Sequence, residues 1–236
     1  MHVHGSRRFA MPAALAVFAF ILGSVIQTLD AQSTQPSQPI LMDFESIGVD
    51  VDGAPGGFTA AMTGGGDPQG WRIEAAEGPS DGTGGSKVLA RRSKDASENR
   101  SPLCVFDDLT ARDVEVTVQF QALSGTFEKS AGVIVRYQDN DNYYVLRGNA
   151  HQGNVRLSKV IDGTLQPIEE RSTAVTGGQW HNLRLVARGD AFEAFLDDVP
   201  LFTAEDAAID KAGKVGLWTR SDSEALFDDL RIVVND

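Results

Sequence analysis

The residue types best suited to chemistry in this 236-residue chain gather between positions 136 and 220: Arg136, Tyr143, Tyr144, Arg147, Asn149, Arg156, Trp218 and Arg220. Aromatic rings interleaved with planar hydrogen-bonding groups suit a sugar, because a ring covers the apolar face of a pyranose while guanidinium and amide groups meet its hydroxyls. On extended chain Tyr143, Arg147 and Asn149 share one face, as do Trp218 and Arg220. Arg147 stands inside the apolar run YYVLRGN, where an unpaired charge would be costly to bury. The competing reading makes Tyr144 and Trp218 core aromatics and the arginines solvated, since a two-sheet sandwich also needs large rings.

Other groups offer weaker chemistry. Asp113 and Glu115 are two apart on DVEVTVQF and project to one face, which makes them a candidate carboxylate dyad, or else the polar side of an ordinary strand. Glu169 and Glu170 are adjacent, point to opposite faces and cannot act as a pair. His181, beside Trp180, and His151, in the loop NAHQGN, are candidate general acids or bases, although such a histidine is more often structural. Two histidines do not make a histidine-rich metal centre, and no Gly-x-Ser-x-Gly run supports a serine hydrolase. Cys104 is the single cysteine, expected as a small buried hydrophobe.

The stretch RYQDNDNYY has the composition of a calcium loop. Asp139 and Asp141 could be the first and third ligands, but Tyr144 falls where such a loop needs Gly, and no Glu closes it. With GVIV before and YYVL after, Asp139 to Asn142 are expected to close a hairpin through residues tolerant of left-handed backbone.

The elements that must position these groups alternate with period 2. Val114, Val116, Val118 and Phe120 face one way, and Asp113, Glu115, Thr117 and Gln119 the other. GVIVRY, YYVLRGN, NVRLSKVI, HNLRLVAR, AFEAFLDD, KVGLWTR and ALFDDLRIVV repeat the habit, with turn signals at Asp162-Gly163 and at RGD, 188 to 190, which is read as a reversal rather than an adhesion signal. TAEDAAIDKA, 203 to 212, could hold a helical turn. A short strand is expected at Trp71 to Ala75 between Gly-rich loops. Many short strands and little helical periodicity imply an all-β sandwich.

Arg7 and Arg8 precede the apolar run FAMPAALAVFAFILGSVI, with Ala31 at a cleavage position, the layout of a secretory signal peptide over 1–31. The run also approaches the roughly 18 residues of a membrane span, so an uncleaved anchor is the alternative. Export to the periplasm or the extracellular space is expected, without membrane insertion once the signal is cleaved. Residues 32–39 read as a linker and 40–236 as one folded domain. The 33 acidic against 21 basic residues disfavour nucleic acid and anionic lipid as partners and leave neutral ligands such as carbohydrate unopposed. Oligomeric state is not encoded in any pattern here.

Taken in order, LMDFES, GFTAAMTGGGDPQGWRI, AGVIVRYQDNDNYYVLRGNA, NVRLSKVIDG, QWHNLRLVARGDAFEAFLDDVPLF and GKVGLWTRSDSEALFDDLRI resemble the concanavalin A-like jelly rolls. The resemblance runs from about residue 40 to 236 and is greatest to the secreted 3-keto-disaccharide hydrolase branch, related in fold to laminin G modules and family-16 glycoside hydrolases. It implies two stacked antiparallel sheets with a carbohydrate groove on the concave one. It also implies a structural calcium site between the first and last strands, drawing on Asp43, Glu45, Asp228 and Asp229, with no other cofactor expected. The Glu-x-Asp-x-x-Glu run of family-16 glucanases is missing. Three functions remain open on these grounds: an exported carbohydrate-binding sandwich, a hydrolase of 3-keto-glycosides, and a non-catalytic envelope module.

Overall fold

Alternating side chains can be buried on one face only if strands pair into sheets and the apolar faces meet. The computed structural model, which describes residues 1, 2, 38–48, 53–66, 70–79, 85–93, 95, 97 and 99–235, has that arrangement and contains no helix among those residues. The signal peptide or anchor expected at the N-terminus, and most of the linker, lie outside the described residues. No helix among the described residues is long and apolar enough to cross a membrane.

Fifteen strands follow in chain order: β1 (Ile40–Met42), β2 (Phe58–Thr63), β3 (Trp71–Ala75), β4 (Lys87–Arg91), β5 (Ser101–Phe106), β6 (Val114–Ser124), β7 (Ser130–Asp139), β8 (Asn142–Asn149), β9 (Asn154–Ile161), β10 (Thr164–Ser172), β11 (Trp180–Arg188), β12 (Ala191–Leu196), β13 (Val199–Glu205), β14 (Lys214–Thr219) and β15 (Glu224–Val234). Sheet I runs β13-β12-β11-β6-β15-β4-β3, with β1 also on β15, and sheet II runs β10-β9-β8-β7-β14-β5-β2. Every pairing is antiparallel. The expected helical turn at 203 to 212 is absent: Thr203 to Glu205 end β13, and non-helical chain leads from there to β14.

The core lies between the sheets. Val114, Val116, Val118 and Phe120 of β6 meet Val133 and Val135 of β7, Tyr144 and Leu146 of β8 and Leu217 of β14. Cys104, on β5, is fully buried within it, and desolvation pushes its thiol well above the ordinary value, so it is an inert hydrophobe as expected. Glycine is required where the sheets approach: a Cβ on Gly148 would stand 2.7 Å from the Phe120 ring.

The turn in RYQDNDNYY closes as a hairpin, with Asp139 paired to Asn142. Its chemistry differs from expectation. Asn140 and Asp141 are not left-handed; instead the Asp139 carboxylate accepts from the Asp141 amide at 2.8 Å and the Asn142 side chain at 2.9 Å. The left-handed residue is Arg136, φ 51°, where the β7–β8 register shifts. At Asp162-Gly163 both φ values are positive, 49° and 73°, as a type I′ hairpin demands.

Candidate functional site

The outer face of sheet II is strongly concave. Thr63 on β2 and Tyr143 on β8 are separated by three strands, a distance of roughly 19 Å across a flat sheet. Their hydroxyls nonetheless meet at 2.7 Å, and Thr63 also donates to the Asn140 carbonyl at 2.6 Å. The sheet therefore curls enough to bring the β7–β8 hairpin end against its β2 edge.

Antiparallel register aligns one residue from each strand into a row across this face: Ala61, Leu103, Trp218, Gly132, Arg147, Arg156 and Glu170. The face on either side of this row has an apolar and a polar half. Around Trp218 the apolar half comprises Leu103, Val105, Ile134, Tyr143, Val145 and Val160. Tyr143 and Trp218 are fully buried in it. They lie on the expected face, but as packed wall and not as open stacking rings.

Continuous hydrogen bonding joins the polar half. Arg147, 2% exposed, donates from its two terminal nitrogens to Asn154 Oδ1 at 3.1 Å and Gln152 Oε1 at 3.0 Å. Asn154 then donates to Glu170 at 3.3 Å, and Glu170 accepts from Arg156 at 2.6 Å. On the other side Asn149, fully buried, donates to Glu128 and accepts from the backbone amides of His151 and Gln152, so it shapes the turn that supplies Gln152. Burial pulls the Arg147 guanidinium down to about 10, opposed by Glu128 and reinforced by Arg156 and Arg220. It remains charged at neutral pH.

Arg220, immediately after β14, joins the two halves. Its guanidinium lies 3.9 Å from Glu128, and it lines a cavity of about 330 Å3 with Thr63, Ser101, Asn99, Val160, Thr164 and Leu165. Hydroxyls and one guanidinium set around an apolar strip can hydrogen-bond and partly cover a sugar-sized ligand. Glu128 itself is held by the loop before β7, where Asp222 accepts from the backbone amides of Thr126, Phe127 and Glu128 at 2.5, 3.1 and 3.3 Å.

Sequence and structure part at Arg136 and Tyr144. Alternation sends Arg136 outward, but the register shift and positive φ turn its guanidinium toward the end of the sandwich. There it donates to the carbonyls of Arg112 at 3.0 Å, Ile209 at 3.0 Å and Gly189, and stacks 5.3 Å from the Phe192 ring. Tyr144 points into the inter-sheet core and hydrogen-bonds Asp206 at 2.6 Å; burial, then that bond, push its phenol up to about 12. Neither reaches the concave face. Asp113 accepts from the Gly189 amide at 2.9 Å and Glu115 pairs with Arg231 at 3.6 Å; Glu115 lies on β6 of sheet I, remote from that face. His181 accepts from the Thr176 amide through Nε2 at 2.9 Å, which puts its proton on Nδ1, 2.8 Å from Asp197. It is a satisfied structural histidine. Glu128, Gln152, Asn154 and Ser101 went unnoticed in the sequence because they come from loops, strand ends and a distant strand, with no periodic signal to unite them.

The residues implied for a calcium site form no cluster of three metal-ligating side chains among the described residues. β1 does pair with β15, so the chain ends meet as expected. However, Asp43 accepts from the Glu45 amide, Glu45 from the Lys87 amide at 2.7 Å, and Asp228 from the Asp229 amide at 2.8 Å. Asp228 is fully buried, and desolvation, with Asp229 and Glu45 nearby, raises its carboxyl to about 7. Asp43 and Asp229 line a separate hollow of about 400 Å3 on sheet I, together with Leu41, Met42 and Leu230.

A family model described as the 3-keto-alpha-glucoside-1,2-lyase-like domain matches residues 58–233. The chain belongs to this family. The match spans β2 to β15 and therefore contains the whole concave face. Among solved structures, the chain is similar to the carbohydrate-binding module CBM66 from Bacillus subtilis, at 21% identity and a TM-score of 0.54, over 70% of this chain and 95% of that one. That likeness extends the shared fold beyond the lyase-like family. Domain 4 of AbnA, an extracellular arabinanase from Geobacillus stearothermophilus in complex with arabinotriose, aligns at 14% identity and a TM-score of 0.49, over 75% of this chain and 82% of that one. No curated protein matches the chain.

Proposed function

We propose that the chain is an exported carbohydrate-binding β-sandwich whose ligand lies on the concave face of sheet II. One observation carries this reading: buried planar groups, Arg147, Asn149 and Asn154, hydrogen-bonded through the exposed turn residue Gln152, stand on one face beside a hydroxyl-lined cavity that Arg220 also lines. Such groups are held in fixed orientation before a ligand arrives, which lowers the entropic cost of recognising hydroxyls. The family and the fold shared with CBM66 support the same class of ligand. Titration calorimetry against an oligosaccharide panel tests it. Saturable binding that is weakened by Arg220→Ala is expected; no binding to any saccharide would overturn it.

Family membership favours a second reading, turnover of a 3-keto-glucoside. The ketone acidifies the proton on C2; a base removes it, the electron pair forms the C1=C2 bond, and the C1–O bond breaks, releasing the aglycone as an alcohol once it has gained a proton. This chemistry needs a base and a polarised ketone, not a two-carboxylate clamp, so the missing glucanase motif is no obstacle. Incubation with a 3-keto-glucoside and with the unmodified glucoside, monitored by released aglycone and the ultraviolet band of the conjugated enone, separates the readings. Turnover of the keto sugar alone establishes the lyase; binding without turnover leaves the binding module.

A further inference from the structure

Around Arg147 guanidinium groups outnumber carboxylates by one. Arg147 itself, Arg156 opposite it and Arg220 gather there with two carboxylates, Glu128 and Glu170. Glu170 bonds Arg156 at 2.6 Å, and Glu128 lies 3.9 Å from Arg220 and accepts from Asn149. Arg147 is the most deeply buried of the three arginines, yet both its terminal nitrogens donate to neutral amide oxygens, and among the described residues no carboxylate comes within ion-pair distance of it. Amide oxygens satisfy its N–H groups without cancelling its charge, and its cross-strand neighbour is another arginine.

We propose that the face recognises an acidic glycan, with a uronate carboxylate of the ligand supplying the counter-charge missing among Arg147, Arg156 and Arg220. The inference rests on the carbohydrate reading and adds the charge of the ligand to it. A planar carboxylate matches the guanidinium fork in shape as well as sign. Arg156 and Arg220, with side chains 27% and 22% exposed, form the accessible part of the cluster, and Arg147 lies beneath as fixed positive charge. The net charge of −12 over the whole chain opposes an anion at long range. At physiological ionic strength, however, charges farther than about 8 Å are largely screened, so the local excess decides.

The test measures binding of the purified chain to uronate oligosaccharides and to the same oligosaccharides after reduction of their carboxyl groups, at low and at high salt. The acidic form is expected to bind at least about tenfold more tightly than its reduced counterpart, with affinity falling as salt rises. Arg220→Gln and Arg147→Lys are expected to shrink the preference; because Arg220 is partly exposed, its variant keeps the test valid where the Arg147 variant does not fold. Equal or tighter binding of the reduced, neutral forms would overturn the acidic ligand while leaving the carbohydrate reading intact. If neither form binds, nor any neutral glycan, the carbohydrate reading falls and this inference with it.

Discussion

Arg147 on β8 and Arg156 on β9 are cross-strand partners, two guanidinium-bearing residues directly opposite each other on the concave face of sheet II. Like charges in that position disfavour pairing by a few tenths to about 1 kcal/mol. The strands tolerate them because each is answered differently: Arg156 by Glu170 on the next strand, and Arg147 by Gln152 and Asn154. A sheet selected for stability alone would place a neutral pair here.

Glu170→Gln should unmask that repulsion. The variant removes the charge that pairs with Arg156 while keeping one side-chain oxygen able to accept from Asn154. Because the carboxylate is half exposed, the expected loss is only about 0.5–1 kcal/mol. Urea unfolding at two salt concentrations checks it: the loss should shrink in high salt, and a salt-independent loss would show that packing, not charge, is responsible.

Asp222 positions Glu128 without itself touching the row. Its desolvation raises the carboxyl, but the amides of Thr126, Glu128 and Phe127 outweigh this and leave it below the usual value. Folded affinity for the proton is thus lower than unfolded, so its contribution is present at neutral pH and is lost as pH falls through the depressed folded value. Asp222→Ala should cost on the order of 1–3 kcal/mol at pH 7 and less in acid. Hydrogen exchange should accelerate at the amides of 126 to 128 and remain unchanged in β11.

His181→Ala should lower stability by about 1–3 kcal/mol, since the Thr176 amide and the Asp197 carboxylate lose a buried partner. Ligand affinity on sheet II should be unchanged in the folded fraction, because the imidazole belongs to β11 of sheet I. A selective loss of ligand affinity or turnover with stability intact would return His181 to the functional site.

Asp228→Asn tests the buried carboxyl on β15. With its folded value raised to about 7, Asp228 binds a proton more readily in the folded chain than in the unfolded one. Its stabilising neutral form is therefore fully present in acid, and stability declines as pH rises from the unfolded value toward 7. The amide keeps the acceptor for Asp229 and removes the cost of ionisation. The variant should match the parent at pH 4 and exceed it at pH 8 by on the order of 2–4 kcal/mol. Thermal melts across that range check the sign, and added calcium should not erase the difference.

Much of the sandwich was legible in the chain. The alternation of β6, the short strand Trp71–Ala75 and the Asp162-Gly163 turn are properties of local pattern, and each stands where the pattern put it. The shared face of Arg147 and Asn149 was legible for the same reason. The orientation of Arg136 was not, because a register shift in one strand changes the face of a side chain without changing residue type.

By itself the sequence determined which residues alternate, where the chain reverses, and so the antiparallel β class, since those depend on neighbours two to four positions apart. Only the tertiary structure decided which strands lie side by side. Bringing Thr63 to Tyr143, Arg147 opposite Arg156 and Glu128 beside Asn149 takes sheet order and curvature, which are set by the packing of two whole sheets and by no local interval of sequence.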